Sequence, residues 1–232
     1  MKRGCTVLLC VCLGLAVFAW ADQTRTDVKD RLDSSAKTLQ EIMNAPDKGI
    51  PQEVLEGAKC IAVVPSLIKG GFIFGARHGR GVATCRLPDG RWSAPAFFTI
   101  SGGSWGAQIG VENVQLVMMI MNDDGMRQLL QDKFRIGAGA SATAGPVARE
   151  VSAAEGWKIN SPILTYSRAQ GLFAGIDLSG AESERDSDST RAMYRKGLTN
   201  TAVLTGKVPV PAAAHVFLAA LEQSKAEALA KK

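Results

Sequence analysis

Histidine and cysteine are scarce in this sequence, and their scarcity excludes whole classes of chemistry. The 232 residues hold two histidines and five cysteines. Cys5, Cys10 and Cys12 fall within the first 21 residues, leaving Cys60 and Cys85 further on. Zinc ligands come in close pairs, and His78 and His215 stand far apart in the chain, so no metal site is expected. Charge of one sign is also lacking. Setting aside Lys2 and Arg3 leaves 25 basic residues against 22 acidic ones, a net of +3. That is too mild to imply nucleic acid from bulk charge. No internal repeat and no low-complexity linker interrupts the chain.

Long apolar runs are confined to the start. Lys2 and Arg3 precede an almost unbroken apolar stretch from Cys5 to Phe18, and Ala19-Trp20-Ala21 offers a small-x-small cleavage site. This order is that of a secretory signal peptide over 1–21. A run of about 17 residues is short for a ~30 Å hydrocarbon core, which argues against a retained anchor. The expectation is an exported protein of residues 22–232, periplasmic or extracellular. In such a compartment Cys60 and Cys85 can form a disulfide, or remain two buried thiols; both readings stay open.

Residues 24–43 have helical spacing, with Val28, Leu32, Leu39, Ile42 and Met43 on one face. Lys29, Asp30, Arg31, Asp33 and Lys37 are assigned to the other. Pro51 opens a second, short helix through Ala58. Then come short apolar segments: "CIAVVP", "GFIFGAR", "GVATCRL", "APAFFTI", "AQIGVE" and "VQLVMMIM". Between them, turns are expected at Lys69-Gly70-Gly71, Gly79-Arg80-Gly81 and Pro88-Asp89-Gly90, which reads as antiparallel hairpins. A helix near Gly125–Asp132, strands "ILTYSRA" and "GLFAGIDL", a polar helix over 183–196 and a C-terminal helix from Pro211 complete the pattern. The fold class is α+β: one domain, a curved antiparallel or barrel-like sheet flanked by N- and C-terminal helices.

Three motifs suggest chemistry and fail on context. Gly102-Gly103-Ser104-Trp105-Gly106 contains the nucleophile-elbow pattern, but "AQIGVENV" supplies no helix after Ser104. The only downstream histidine, His215, lies in the apolar "AAAHVFLAAL". A serine hydrolase using Ser104 is therefore a remote alternative, and no catalytic residue is expected. Gly137 to Ala142 fits a loose dinucleotide fingerprint without the strand and helix it needs. Asp186-x-Asp188-x-Thr190 mimics a calcium loop, but Arg191 and Gly197 occupy its required glycine and glutamate places. These acids read instead as a solvated helix start. The segment 69–91 is more informative: Lys69, Arg77, His78, Arg80, Arg86 and Arg91 face only Asp89. Gathered on hairpins, they would attract anionic headgroups.

Three blocks carry a resemblance: "AKCIAVVPSLIKGGFIFGARHGRGV" (58–82), "WSAPAFFTISGGSWGAQIGVENVQLVMMIMN" (92–122) and "LTYSRAQGLFAGIDLSG" (164–180). Together they are similar to the SYLF domain family, the lipid-binding or yeast actin-patch-type actin-binding domain. The likeness runs from about residue 24 to 222. It implies a non-enzymatic module without a cofactor, binding phosphoinositides or other anionic lipids, with actin binding in some relatives. Eukaryotic relatives pair the domain with SH3 or FYVE modules, and this sequence shows neither. The resemblance implies that Ser104 belongs to a turn of the sheet and that Trp105 is a core or interfacial aromatic. The expected partner is an anionic lipid or membrane surface, met peripherally, in the cell envelope. A protein partner or envelope-structural role is the alternative; no nucleic acid is expected.

Overall fold

The computed structural model describes residues 25–45, 49–71, 74–105, 110–137, 142–146, 161–169, 172–173, 176 and 178–230. The segment expected to be a signal peptide and most of the Gly137–Ala142 fingerprint lie outside the described residues.

Helix α1 spans 25–43, and α2 is Gln52–Gly57. Four long strands follow: β1 (Cys60–Gly71), β2 (Phe74–Cys85), β3 (Ala96–Trp105) and β4 (Gly110–Ile120). Next come α3 (Asp123–Leu129), β5 (Lys133–Arg135), β6 (Ala142–Ala144), β7 (Ile163–Ala169), β8 (Leu172–Phe173) and β9 (Glu182–Arg185). Helices α4 (Ser187–Tyr194) and α5 (Asn200–Leu204), a 3-10 turn (Ala212–Ala214) and α6 (His215–Ala230) complete the chain. The strands form one sheet in the order β5-β9-β3-β2-β1-β4-β7-β6, with β8 paired to β7. It curls into a half-barrel. All pairings are antiparallel except β6 with β7. The expected α+β architecture is thus present, with β5 and β6 ending the strand order among the described residues.

Several boundaries differ from the sequence reading, for identifiable reasons. Gly79-Arg80-Gly81 is not a turn but the middle of β2. The glycines are there for room: a Cβ on Gly79 would stand 2.8 Å from Val64 Cγ1, and one on Gly81 2.6 Å from Phe98 Cζ. Close approach of side chains and carbonyls on the neighbouring strands β1 and β3, rather than reversal, selects glycine. Lys69-Gly70-Gly71 likewise belongs to a strand, the end of β1. The first strand does not stop at Pro65 either. Its register slips there against both neighbours, so the proline, which has no N–H to donate, sits in a bulge. Ser104 lies in β3 opposite Gly75, in a strand rather than at a turn. The polar helix is shorter than expected, because residues 182–185 form β9. Pro88-Asp89-Gly90 does turn, Gly90 taking φ +85°.

Both faces of the central sheet are buried, which is why β1 and β4 read as unbroken apolar runs rather than alternating ones. On one face Ile61, Val63, Val117 and Met119 pack under Val28, Leu32 and Leu39 of α1 and Phe217 of α6. On the other, Ala62, Val64, Leu116 and Met118 meet Leu129 of α3 and Val203 and Leu204 of α5. Cys60 and Cys85 are direct register partners on β1 and β2, and they form a disulfide.

Candidate functional site

The basic residues of 69–91 do not form one patch. Alternation along β1 and β2 sends Lys69 and Arg77 to one face and His78 and Arg80 to the other. Lys69 lies 3.8 Å from Glu112 across the sheet. Arg77 is buried, and its Nη2 donates to the carbonyl of Gly103 at 3.4 Å. Arg86 lies over the Trp92 ring, 4.5 Å from its centroid. Arg91 is held at the hairpin tip by Asp89, with Nε 2.7 Å from a carboxylate oxygen. An exposed pair of this kind contributes little to stability. His78 is exposed, opposite Ile68 and Ser101. Trp105 is the last residue of β3, opposite Phe74.

Arg80 instead joins a cluster that sequence reasoning missed. Its Nη2 and Nε donate to Asp186 Oδ2 at 2.9 and 3.2 Å. Arg31 of α1 donates to the same oxygen at 3.0 Å, and Ser189 Oγ donates to it at 2.7 Å. Asp186 is also the N-cap of α4, its Oδ1 accepting from the Ser189 amide at 3.0 Å. Burial alone would raise the Asp186 carboxyl. The two Ser189 hydrogen bonds, the Arg80 hydrogen bond and the Arg31 charge outweigh it, bringing the group down from 3.8 to about 2. Arg31 is pulled below its ordinary value by burial and by the neighbouring Arg80 charge, with Asp186 opposing both.

A sequence signal for this cluster existed. Val28, Arg31, Ser35, Thr38 and Ile42 follow helical spacing and are all buried. Arg31 therefore belongs to the packed face of α1, not the polar one. An arginine there requires an acidic partner. Asp186 supplies it and so is not solvated, although it does start a helix; Asp188 is exposed and pairs with Arg191.

The chemistry of this cluster is structural. Asp186 is fully engaged, its one carboxylate shared between Arg31 and Arg80. The accessible chemistry lies elsewhere, in the large apolar side chains that remain exposed. Ile68 (51%), Val111 (79%) and Leu172 (74%) share one end of the sheet. There β1 meets β2, β3 gives way to β4, and β7 turns into β8. Gly70 and Val111 are register partners, and Val111 shares the face of Ile68 on the neighbouring strand. Leu172 pairs with Ala169, on the opposite face.

The sequence profile of the Ysc84 family, described as "Las17-binding protein actin regulator", matches residues 101–224. That interval runs from the end of β3 through Asp186 into α6. The chain belongs to the Ysc84, or SYLF, family. It is 32% identical to Protein YSC84 of Saccharomyces cerevisiae over 203 residues, covering 84% of this chain and 43% of that protein. It is 34% identical to SH3 domain-containing YSC84-like protein 1 of Rattus norvegicus over 196 residues, 82% of this chain and 57% of the relative. LAS seventeen-binding protein 3 of Saccharomyces cerevisiae is 31% identical over 179 residues, 76% of this chain and 39% of its own length. The chain thus spans about half the length of these curated relatives. The SYLF resemblance seen in the three sequence blocks is borne out.

Proposed function

We propose that this SYLF domain is a non-enzymatic module that binds anionic lipid at a membrane surface. The observation that carries the reading is the apolar end of the sheet, where Ile68, Val111 and Leu172 are half or more exposed. Their combined exposure amounts to roughly two whole side chains, and burial of a full one is worth about 1.5–3 kcal/mol. Insertion would therefore contribute on the order of 4 kcal/mol, enough for weak peripheral attachment. Lys69 at this end lies 3.8 Å from Glu112, so its pull on an anionic surface is partly offset and falls below the ~1 kcal/mol of an unpaired lysine. Headgroups of phosphoinositide type fit this reading as well as simpler anionic lipids.

The same reading places the protein outside the reducing cytosol, in the periplasm or beyond the cell, as a peripheral component of the envelope. The Cys60–Cys85 disulfide supports that compartment. A protein partner at the same sheet end is the second reading, favoured by the family's description as Las17-binding.

The test is flotation of the purified protein with neutral and with anionic vesicles, at low and high salt. The variant is Val111→Asp with Leu172→Asp. Charge reversal of Arg80 or Arg86 is unsuitable, since both hold the fold. Flotation on anionic vesicles alone, reduced at least tenfold in the variant, supports the lipid reading. No flotation of the native protein on anionic vesicles sinks it and leaves the protein partner.

A further inference from the structure

Two more apolar side chains are exposed away from the sheet end. Val216, on the first turn of α6, is 43% exposed, and Val210, just before the 3-10 turn, is 36% exposed. Val216 lines a cleft of about 520 Å³, together with Met193 at the end of α4, Pro211 and Ala213. Its remaining wall is α1, which presents Arg25, Lys29 and Asp33. Spacing of four residues stacks these three on one helix face. All three are exposed.

The charges of that wall are unspent. Among the described residues, Arg25 and Lys29 make no ion pair, although Asp33 lies one turn beyond Lys29. Further along the same helix, Lys37 does pair with Glu41, at 3.9 Å. Two cations and one carboxylate leave a single net positive charge beside an apolar floor. The volume lies within the ~300–1,000 Å³ range of small-molecule sites, which combine apolar walls with a few placed polar groups.

We infer that this cleft binds a single-chain amphiphile with a singly charged oxyanion headgroup. The alkyl chain lies against Met193, Pro211, Ala213 and Val216. The headgroup meets Arg25 and Lys29, whose donors suit a carboxylate or a phosphodiester equally. Asp33 disfavours a headgroup of higher charge. A free fatty acid and a lysophospholipid share this chemistry.

The experiment is isothermal titration of the purified protein, below each probe's micelle concentration, with four twelve-carbon probes. These are dodecanoate, lauroyl lysophosphatidylglycerol, dodecyl maltoside and dodecyltrimethylammonium. Saturable one-to-one binding is expected for at least one of the two anionic probes, at least tenfold tighter than for the other two; the preferred anion identifies the source. Arg25→Glu with Lys29→Glu should weaken it at least tenfold without changing the melting temperature. Ala213→Trp should fill the cleft and abolish binding. If Ala213→Trp fails to fold, the exposed charge pair decides alone. Absence of saturable anionic binding, equal binding of neutral or cationic probes, or unchanged affinity in the charge variant each overturn the inference. The vesicle result at the sheet end bears on none of these outcomes.

Discussion

Replacing Asp186 with asparagine should cost about 2–3 kcal/mol of stability at neutral pH, and the cost should shrink in acid. The substitution keeps the size of the side chain and an acceptor for the Ser189 amide, so the helix cap survives. It removes the carboxylate shared by Arg31, whose side chain is 5% exposed, and Arg80, which is 39% exposed. Removing one partner of a buried pair typically costs ~3–5 kcal/mol, because the other charge is left uncompensated. Arg80 can turn toward water, which places this case near the lower bound. The titration gives a second route to the same number. The carboxyl lies at about 2 in the folded protein against an ordinary 3.8. At ~1.36 kcal/mol per unit, that difference is worth about 2 kcal/mol. Because the folded value is the lower one, the contribution is complete above the ordinary carboxylate range and drains away as pH falls from about 4 towards 2.

The assay is urea unfolding followed by tryptophan fluorescence, for the native protein and Asp186→Asn, at pH 7, 5 and 3. The gap should be about 2–3 kcal/mol at pH 7 and 5, and visibly smaller at pH 3. A companion, Arg31→Met with Asp186→Asn, removes the buried arginine together with the carboxylate while keeping an acceptor for the cap, and should recover much of the loss, since apolar replacement of a buried charge is often neutral. A gap below about 1 kcal/mol, or one equally large at pH 3, would refute the electrostatic account and leave packing as the role of these residues.

Two other perturbations test the sheet. Gly81→Ala should destabilise by about 1–3 kcal/mol, the usual cost of overpacking, because its Cβ would meet Phe98 Cζ at 2.6 Å and the Val63 carbonyl oxygen at 2.7 Å. A melting temperature equal to that of the native protein would show that Phe98 and the neighbouring strand can give way. Reducing the Cys60–Cys85 bond, which closes a separation of 25 residues, should lower stability by about 3 kcal/mol. Guanidinium midpoints with and without dithiothreitol measure it, and coincident midpoints would show that the bond is not made in solution.

The architecture was legible because the strand segments announce themselves: "ILTYSRA" is β7 residue for residue. The helix 24–43 is likewise α1, whose apolar stripe is strictly periodic. What sequence missed depends on distance. Whether glycine marks a turn or a tight approach is decided by the facing residue, and Phe98 is not Gly81's neighbour in the chain. The basic segment 69–91 reads as a patch only where proximity in sequence is also proximity in space. Pleating then sent alternate residues to opposite faces and joined Arg80 to an acid 106 positions away. Arg31 was misplaced for a related reason. Its charge suggested solvent, whereas its spacing from Val28 and Ser35 put it in the core.

The buried cluster and the apolar cleft are not independent, and their connection can be tested. Hydrophobic packing holds α1 on the sheet but has little directional preference, so it sets neither the rotation nor the slide of the helix. The charge-assisted bonds from Arg31 to Asp186 do have direction. Asp186 caps α4, whose final turn carries Met193, and Arg31 lies on α1 six residues beyond Arg25. The cluster thus pins the two helices that face each other across the cleft, though Asp186 itself does not line it. Asp186→Asn should therefore weaken binding of the preferred anionic amphiphile several-fold, at neutral pH and in conditions where the variant is fully folded. Vesicle flotation through Val111 and Leu172 should persist in the same variant, because strand pairing in β4 and β8 holds those residues and neither touches the cluster. If the folded variant binds the amphiphile as tightly as the native protein does, apolar packing alone fixes the helix, and the cluster serves stability rather than the shape of the site.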